Sequence, residues 1–358
     1  MLDRRSFLRQ VATAILGGAV GPLLPRQARA QRLTKVKFAL PWIPSGHMAF
    51  FFAAQQLGYW KKRGLEVQLD RGYGSGEVCK AVGLEQYDYG LPDVAVMITS
   101  AAKGLDLTSI AMVQHISPIA LFSLKGRNIR TPKDLEGKTI GTSPQSVDFQ
   151  LWPAFVEATK IDAAKVRFSF INPGVHIPAL LDGRIDLLGS FYPTTAPVLW
   201  SQHVEFNVML YAAYGLQMYS GAIITLRKRA REKPEECAAL VQGAMEGLAY
   251  SYLNPEQTVE IFLDAVRTYQ GAPTHKGIIR DGIGINAVLG LAKAAEEHGL
   301  GWTDPAVMAS TRDKVIRYMG LNEAPPLGQL YTNAFAGTVK LTPAQWREVR
   351  RQAQRYLF

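Results

Sequence analysis

From Val36 onward, short β-type segments alternate with apolar helical ones, and this alternation limits the chain to a narrow set of folds. Val36-Lys37-Phe38-Ala39-Leu40 has the period of two of a half-buried strand, residues 47–57 predict an apolar helix closed by Gly58, and Leu65-Glu66-Val67-Gln68-Leu69 alternates again. A helix over about 76–84, a strand over 87–90, a helix over 94–103 and a strand near 109–113 continue the series. Strands separated by helices of this length build βαβ units around a mainly parallel sheet, so the class is α/β.

A second cycle begins after Arg127, with strands expected over 139–141, 166–170 and 185–188 and helices at 131–135, 148–159, 176–181 and 193–202. Both cycles run from a helix end through Asp into a short buried strand: Glu85-Gln86-Tyr87-Asp88-Tyr89-Gly90 in the first, Gly183-Arg184-Ile185-Asp186-Leu187-Leu188-Gly189 in the second. Two lobes of similar architecture follow, residues 31–122 with 225–358 and residues 123–224, joined by crossing segments near 121–126 and 221–226. Beyond Thr225 the pattern is nearly all helical, over 234–253, 255–269, 285–298 and 305–319. The last helix opens with Thr342 as cap and Pro343 in its first turn, where a missing N–H costs nothing. Its apolar face, Trp346, Val349, Ala353 and Tyr356, is expected to dock on the first lobe.

The charge needs separate treatment, because a formal +10 over 358 residues invites a nucleic-acid reading. Arg4-Arg5-Ser6-Phe7-Leu8 precedes a short apolar stretch to Leu24, then Pro25 and Ala28-Arg29-Ala30, the layout of an export signal with the paired arginines of the twin-arginine class. The stretch is too short and too rich in Gly and Ala to span a bilayer. Cleavage near Ala30 removes five arginines and one aspartate, so the mature charge falls to +6. The remaining basic residues are scattered and no zinc-finger, helix-turn-helix or stacking motif accompanies them, which excludes nucleic acid as the expected partner. Cys79 and Cys237 are too few for a disulfide framework, and two separate, partly buried thiols are expected.

The chain has no HExxH, CxxC, G-x-S-x-G, G-x-G-x-x-G or P-loop pattern after a strand, so no catalytic residue, metal or cofactor is expected. Gly72-Tyr73-Gly74-Ser75-Gly76-Glu77 reads equally as a strand-to-helix turn and as a helix N-terminus able to hold an anionic or carbonyl group. Trp42-Ile43-Pro44-Ser45-Gly46-His47 follows the first strand, where open α/β sheets place ligand loops.

The run from Pro41-Trp42-Ile43-Pro44 through His47, then Gly58-Tyr59-Trp60 and Gly64-Leu65-Glu66-Val67, resembles the thiamine-pyrimidine-precursor (NMT1/THI5-like) family. Gly137-Lys138-Thr139-Ile140-Gly141 and Leu181-Asp182-Gly183-Arg184-Ile185-Asp186 match its second-lobe landmarks; the spacing from Pro44 to His47 departs by one residue. The resemblance implies a type II periplasmic binding protein fold, with C-terminal helices packing on the first lobe. The family holds both binding proteins and pyrimidine-precursor synthases. The synthases carry a lysine for pyridoxal phosphate and a substrate histidine at positions that are Pro92 and Val96 here, and a chain without that amine cannot form the Schiff base.

The expected function is that of a monomeric, periplasmic solute-binding protein of an ABC importer. It is exported by the twin-arginine machinery and delivers a small, pyrimidine-like heteroaromatic ligand to a membrane permease by hinge closure. Sulfonate, nitrate, riboflavin or an aromatic acid are alternative ligands, and an exported enzyme acting on a heteroaromatic compound is the rival class. Cleft candidates come from loops after the carboxyl ends of predicted strands: Trp42, Ser45, His47, Gly74, Ser75, Glu77 and Asp93 in the first lobe, Ser143, Gln145, Phe149, Asn172, Phe191 and Tyr192 in the second. Trp42, Phe191 and Tyr192 suit stacking on a flat ring and Glu77 and Asp93 accept from amino groups. Asp93 serves equally as a helix cap and Asn172-Pro173-Gly174 equally as a turn.

Overall fold

The structure, a computed structural model, describes residues 33–144, 146–269 and 273–357. The expected export signal and Gln145 lie outside the described residues.

The first lobe opens with β1 (Thr34–Ala39), α1 (Ala49–Gln56), β2 (Leu65–Asp70), α2 (Ser75–Gly83), β3 (Tyr89–Gly90), α3 (Val94–Ala102) and β4 (Leu107–Met112). The second lobe holds β5 (Ile119–Leu124), β6 (Thr139–Thr142), α4 (Val147–Gln150), α5 (Trp152–Thr159), β7 (Arg167–Phe170), α6 (His176–Leu181), β8 (Leu187–Phe191), α7 (Tyr192–Ser201) and β9 (Phe206–Leu210). The chain returns through β10 (Ala222–Leu226) and continues as α8 (Arg227–Glu232), α9 (Pro234–Leu253), α10 (Pro255–Ala265), α11 (Pro273–Gly290), α12 (Lys293–His298), α13 (Pro305–Tyr318), α14 (Leu327–Leu330) and α15 (Pro343–Ala353).

Each lobe is built on one five-stranded sheet, ordered β2-β1-β3-β10-β4 and β7-β6-β8-β5-β9. The two orders are the same pattern. Three parallel strands are followed by one antiparallel strand, which in each case is the first strand after a crossing, and then by an edge strand. The repeated Asp motif does the same job twice. Asp88 Oδ2 accepts the Lys37 N–H at 2.7 Å and Asp186 Oδ2 accepts the Thr139 N–H at 2.9 Å, tying β3 to β1 and β8 to β6. Each Asp also pairs with an arginine shortly past the antiparallel strand, Asp88 with Arg229 and Asp186 with Arg127.

The expected crossing segments are corrected. Residues 121–126 and 221–226 lie largely in β5 and β10, and the chain passes between the sheets over 113–118 and 211–221. An apolar, β-branched run reads the same as a crossing and as a central strand; here every residue of β10 is buried between two neighbours. The helix expected over 148–159 is two helices, because Pro153 cannot donate to the preceding turn and so starts α5 instead. The helix expected from 285 begins at Pro273, its Gly282 and Gly284 having weakened the periodic signal.

Apolar layers cover both faces of the sheets. One holds Phe38, Phe50, Phe51, Trp60 and the buried side of α9, the other Val78, Val94, Met97, Met308 and Val315, and both run on into the second lobe. As expected, α15 docks on the first lobe through Trp346, Val349 and Ala353, with Tyr356 just beyond it, and its Thr342 and Gln345 form a capping box. Cys79 and Cys237 are free and buried, and burial pushes the Cys79 thiol up to about 12. Among the described residues no helix is long and apolar enough to cross a membrane.

Candidate functional site

The topology decides which loops face the gap between the lobes. β4 runs parallel to β1 and leaves the first lobe at its carboxyl end, while β5 enters the second lobe antiparallel to β8. The carboxyl ends of the parallel strands in both lobes therefore face the crossings and the gap between the lobes, the usual ligand position in open α/β sheets.

In the first lobe the loop after β1 carries Trp42, 41% exposed, and then turns inward. Ser45 Oγ lies 3.0 Å from His47 Nδ1, and His47 is buried, so desolvation pulls its imidazole down to about 4 and keeps it neutral. The turn lies against α11: a Cβ on Gly46 would stand 2.1 Å from the Ile279 carbonyl oxygen, and one on Gly282 2.9 Å from the Gly46 Cα. Only glycine allows that approach. His47 thus sits behind the loop rather than on its open side.

The loop after β2 places Gly74 at φ 116°, a left-handed conformation, and its N–H donates to the Pro41 carbonyl at 2.9 Å, joining the first two loops. Glu77 is exposed in the first turn of α2. Asp93, which reads equally as a helix cap and a ligand acceptor, is the helix cap. Its Oδ1 caps α3 by accepting the Ala95 N–H at 2.8 Å, its Oδ2 accepts the Ser220 hydroxyl at 2.6 Å, and its own N–H donates to Ser75 Oγ at 3.0 Å. Burial raises its carboxyl, opposed by those donors.

In the second lobe Ser143 offers its carbonyl to the Ser146 N–H and hydroxyl, and Ser146 with Thr142 holds the buried Asp148 carboxylate. Phe149 meets Phe168 and Phe170 edge-on at 4.9 and 5.1 Å. Asn172 Oδ1 accepts the Gly174 N–H at 2.9 Å, which is turn chemistry. Phe191 is half-buried at the end of β8. Tyr192 opens α7 and is buried against Phe122 and Trp200, and its hydroxyl donates to the Tyr356 carbonyl at 3.4 Å.

Residues outside the expected set complete the lips. Tyr73 is 69% exposed with the Arg71 guanidinium 4.4 Å over its ring, and Phe170, the last residue of β7, is 53% exposed. Ile43 and Val175 are exposed beside them. Phe170 was legible, because it ends a strand already read as parallel, and Tyr73 sits inside a loop already singled out. Across 41–47, 71–76, 91–93, 143–146, 171–176 and 190–192 the sequence offers Arg71 as its one lysine or arginine. A groove lined by Tyr59, Lys62, Glu246, Tyr250 and Leu341 lies instead on the outer side of the first lobe, remote from these strand ends.

The second crossing is clipped to the first. Gln114 Oε1 accepts the Gly221 N–H at 3.3 Å, its Nε2 donates to Asn286 Oδ1 of α11 at 3.1 Å, and the His115 N–H donates to Leu289 at 2.8 Å. One helix, α11, therefore touches the Gly46–His47 turn, the first crossing and α7 of the second lobe.

Comparison with known proteins agrees with this arrangement. Riboflavin-binding protein RibY of Chloroflexus aurantiacus is 23% identical over 314 residues, 85% of this chain and 86% of that protein. The 4-amino-5-hydroxymethyl-2-methylpyrimidine phosphate synthase of Schizosaccharomyces pombe is 28% identical over 153 residues, 42% of this chain and 43% of the synthase. Among solved structures, the periplasmic aliphatic sulphonate binding protein SsuA of Escherichia coli superposes with a TM-score of 0.62 at 14% identity, covering 82% of this chain and 91% of that one, so the chain has the periplasmic binding protein fold. Residues 45–258 match the family model described as NMT1/THI5 like, more than half of the chain, and the protein belongs to that family.

Proposed function

We propose that this protein is the soluble solute-binding component of an ABC importer and that its ligand is a small, flat, uncharged heteroaromatic compound held between the two lobes. The observation that carries the reading is the clustering of exposed apolar side chains. Of nine large hydrophobic residues exposed among the described residues, five (Trp42, Ile43, Tyr73, Phe170 and Val175) sit at the carboxyl end of a parallel strand or in the segment that follows one. Such residues are expensive to leave in water and mark a binding surface when they converge. Trp42 and Tyr73 on one lip and Phe170 on the other supply ring faces for stacking on a flat ligand.

The electrostatics favour an uncharged ligand over a sulfonate, nitrate or carboxylate. A buried anion is held by cations or by backbone N–H groups, and these loops provide one exposed arginine already stacked on Tyr73 beside the helix N-terminus at Ser75. The riboflavin of RibY and the pyrimidine ring of the phosphate ester named for the S. pombe relative both meet the shape requirement, so flavins and unphosphorylated pyrimidines are the two classes to compare. Binding rather than synthesis is favoured by Pro92 and Val96 at the synthase lysine and histidine positions. The mature protein, denatured after mixing with a pyrimidine or flavin, should release it unmodified at one equivalent by mass spectrometry. A turned-over product would sink this reading in favour of an enzyme.

A further inference from the structure

The lobes touch outside the crossings on both faces. On one face the contact is apolar and buried. Trp200 of α7 lies 6.0 Å from the Tyr356 ring, which sits so close to α11 that a Cβ on Gly284 would fall 1.9 Å from it. The Tyr356 hydroxyl donates to Asp281 of α11 at 2.8 Å, which anchors that ring to the first lobe. On the other face Met308 and Val315 of α13 share a buried apolar layer with Trp152 and Phe155 of the second lobe, and the outer edge of that contact is polar and exposed. Glu157 of α5 accepts from Arg317 Nη2 at 2.7 Å and from the Tyr318 hydroxyl at 2.8 Å, both on α13 of the first lobe, with Arg317 64% and Glu157 43% exposed.

Close-packed apolar contacts resist separation, because opening them exposes area and leaves voids. An exposed ion pair exchanges its partners for water at little net cost. Both faces therefore keep their apolar layers in a small rotation of one lobe against the other, and the contact that exchanges most readily is the exposed Glu157 pair at the outer edge of α5 and α13. In this conformation Trp42, Tyr73 and Phe170 are 41, 69 and 53% exposed, as side chains on the lips of an open cleft are.

We propose that Glu157, held by Arg317 and Tyr318, is an interlobe latch that favours the open conformation and so sets ligand affinity without touching ligand. The proposal rests on the hinge-binding reading above, but its first test needs no ligand. For a two-state hinge, apparent affinity is intrinsic affinity scaled by the closed fraction, so weakening an open-state contact tightens binding.

The experiment measures interlobe distances in the ligand-free mature protein by electron–electron double resonance, with spin labels at exposed positions Leu84 and Leu181. In Glu157→Ala and in Arg317→Ala the closed population should rise relative to the open one by up to about fivefold, the range of an exposed ion pair. The double variant should add nothing to the larger single effect, since both remove one contact. Unchanged distances, a shift toward opening, or additive single effects would each overturn the latch. Because both residues are exposed, the variants should melt with the parent, and a circular dichroism melt checks this. Riboflavin and a free aminopyrimidine, added afterwards, give the second readout. Tighter binding of either by Glu157→Ala supports the latch, whereas failure of both to bind any variant speaks against the ligand reading and leaves the distance result standing.

Discussion

Asp93→Ala separates a structural carboxylate from a ligand-binding one. The substitution deletes the cap on the Ala95 N–H, worth about 1 kcal/mol. It also leaves the buried Ser220 hydroxyl at the mouth of β10 without its acceptor, at about 1–3 kcal/mol. Together the loss is about 2–4 kcal/mol, which in a domain of this size class lowers the melting temperature by roughly 5–10 °C. Asp93→Asn keeps an oxygen for one of the two donors and should lose about half as much. Calorimetric melts of both variants beside titration of the same samples with riboflavin and an aminopyrimidine provide the assay. A variant that melts like the parent yet no longer binds would refute the structural assignment and return Asp93 to the ligand.

Three further outcomes are expected. His47 and His115 are both pulled by burial from 6.5 to about 4, so the unfolded chain binds protons that the folded one refuses; stability is full above pH 6.5 and falls as pH drops toward 4, by up to about 3 kcal/mol per histidine, and His47→Asn should flatten part of that fall in urea titrations at pH 7, 5.5 and 4.5. Gly46→Ala places a methyl 2.1 Å from the Ile279 backbone oxygen, so α11 must shift, and chemical denaturation should report a loss of about 1–3 kcal/mol. Trp42→Ala removes an exposed ring, so its unfolding free energy should stay within about 0.5 kcal/mol of the parent, Phe170→Ala also loses its edge contact with Phe149 and should cost about 0.5–1.5 kcal/mol, and stacking lost on either lip should weaken a flat ligand about tenfold in calorimetric titrations.

The fold was largely legible because its periodicities are local. The alternation from Val36, the twin Asp motifs and the Pro-opened helices each depend on neighbours a few residues away. What local pattern left open is tertiary. Ile223 and Ile224 read as well for a crossing as for a central strand, and only their pairing with β3 and β4 decides. The start of α11 was missed because Gly282 and Gly284 lower helix propensity for the sake of contacts with Gly46 and Tyr356, neither of them near in sequence. At the site, Trp42 was found where a strand ends, and Phe170 would have followed from the same rule. Asp93 and Tyr192 could not be assigned from sequence, since a buried cap and a cleft acceptor, or a packed ring and a stacking one, differ only in what stands opposite: Ser220 and Tyr356 come from distant parts of the chain.

We propose that the two lobes close on one flat, uncharged heteroaromatic molecule. Isothermal titration of the protein with riboflavin, an aminopyrimidine, an alkanesulfonate and nitrate, repeated on Trp42→Ala and Phe170→Ala, decides this. One site that takes a flavin or a pyrimidine is expected, weakened by loss of either ring, with no binding of the two anions. Binding of sulfonate or nitrate alone, indifferent to both substitutions, would contradict it.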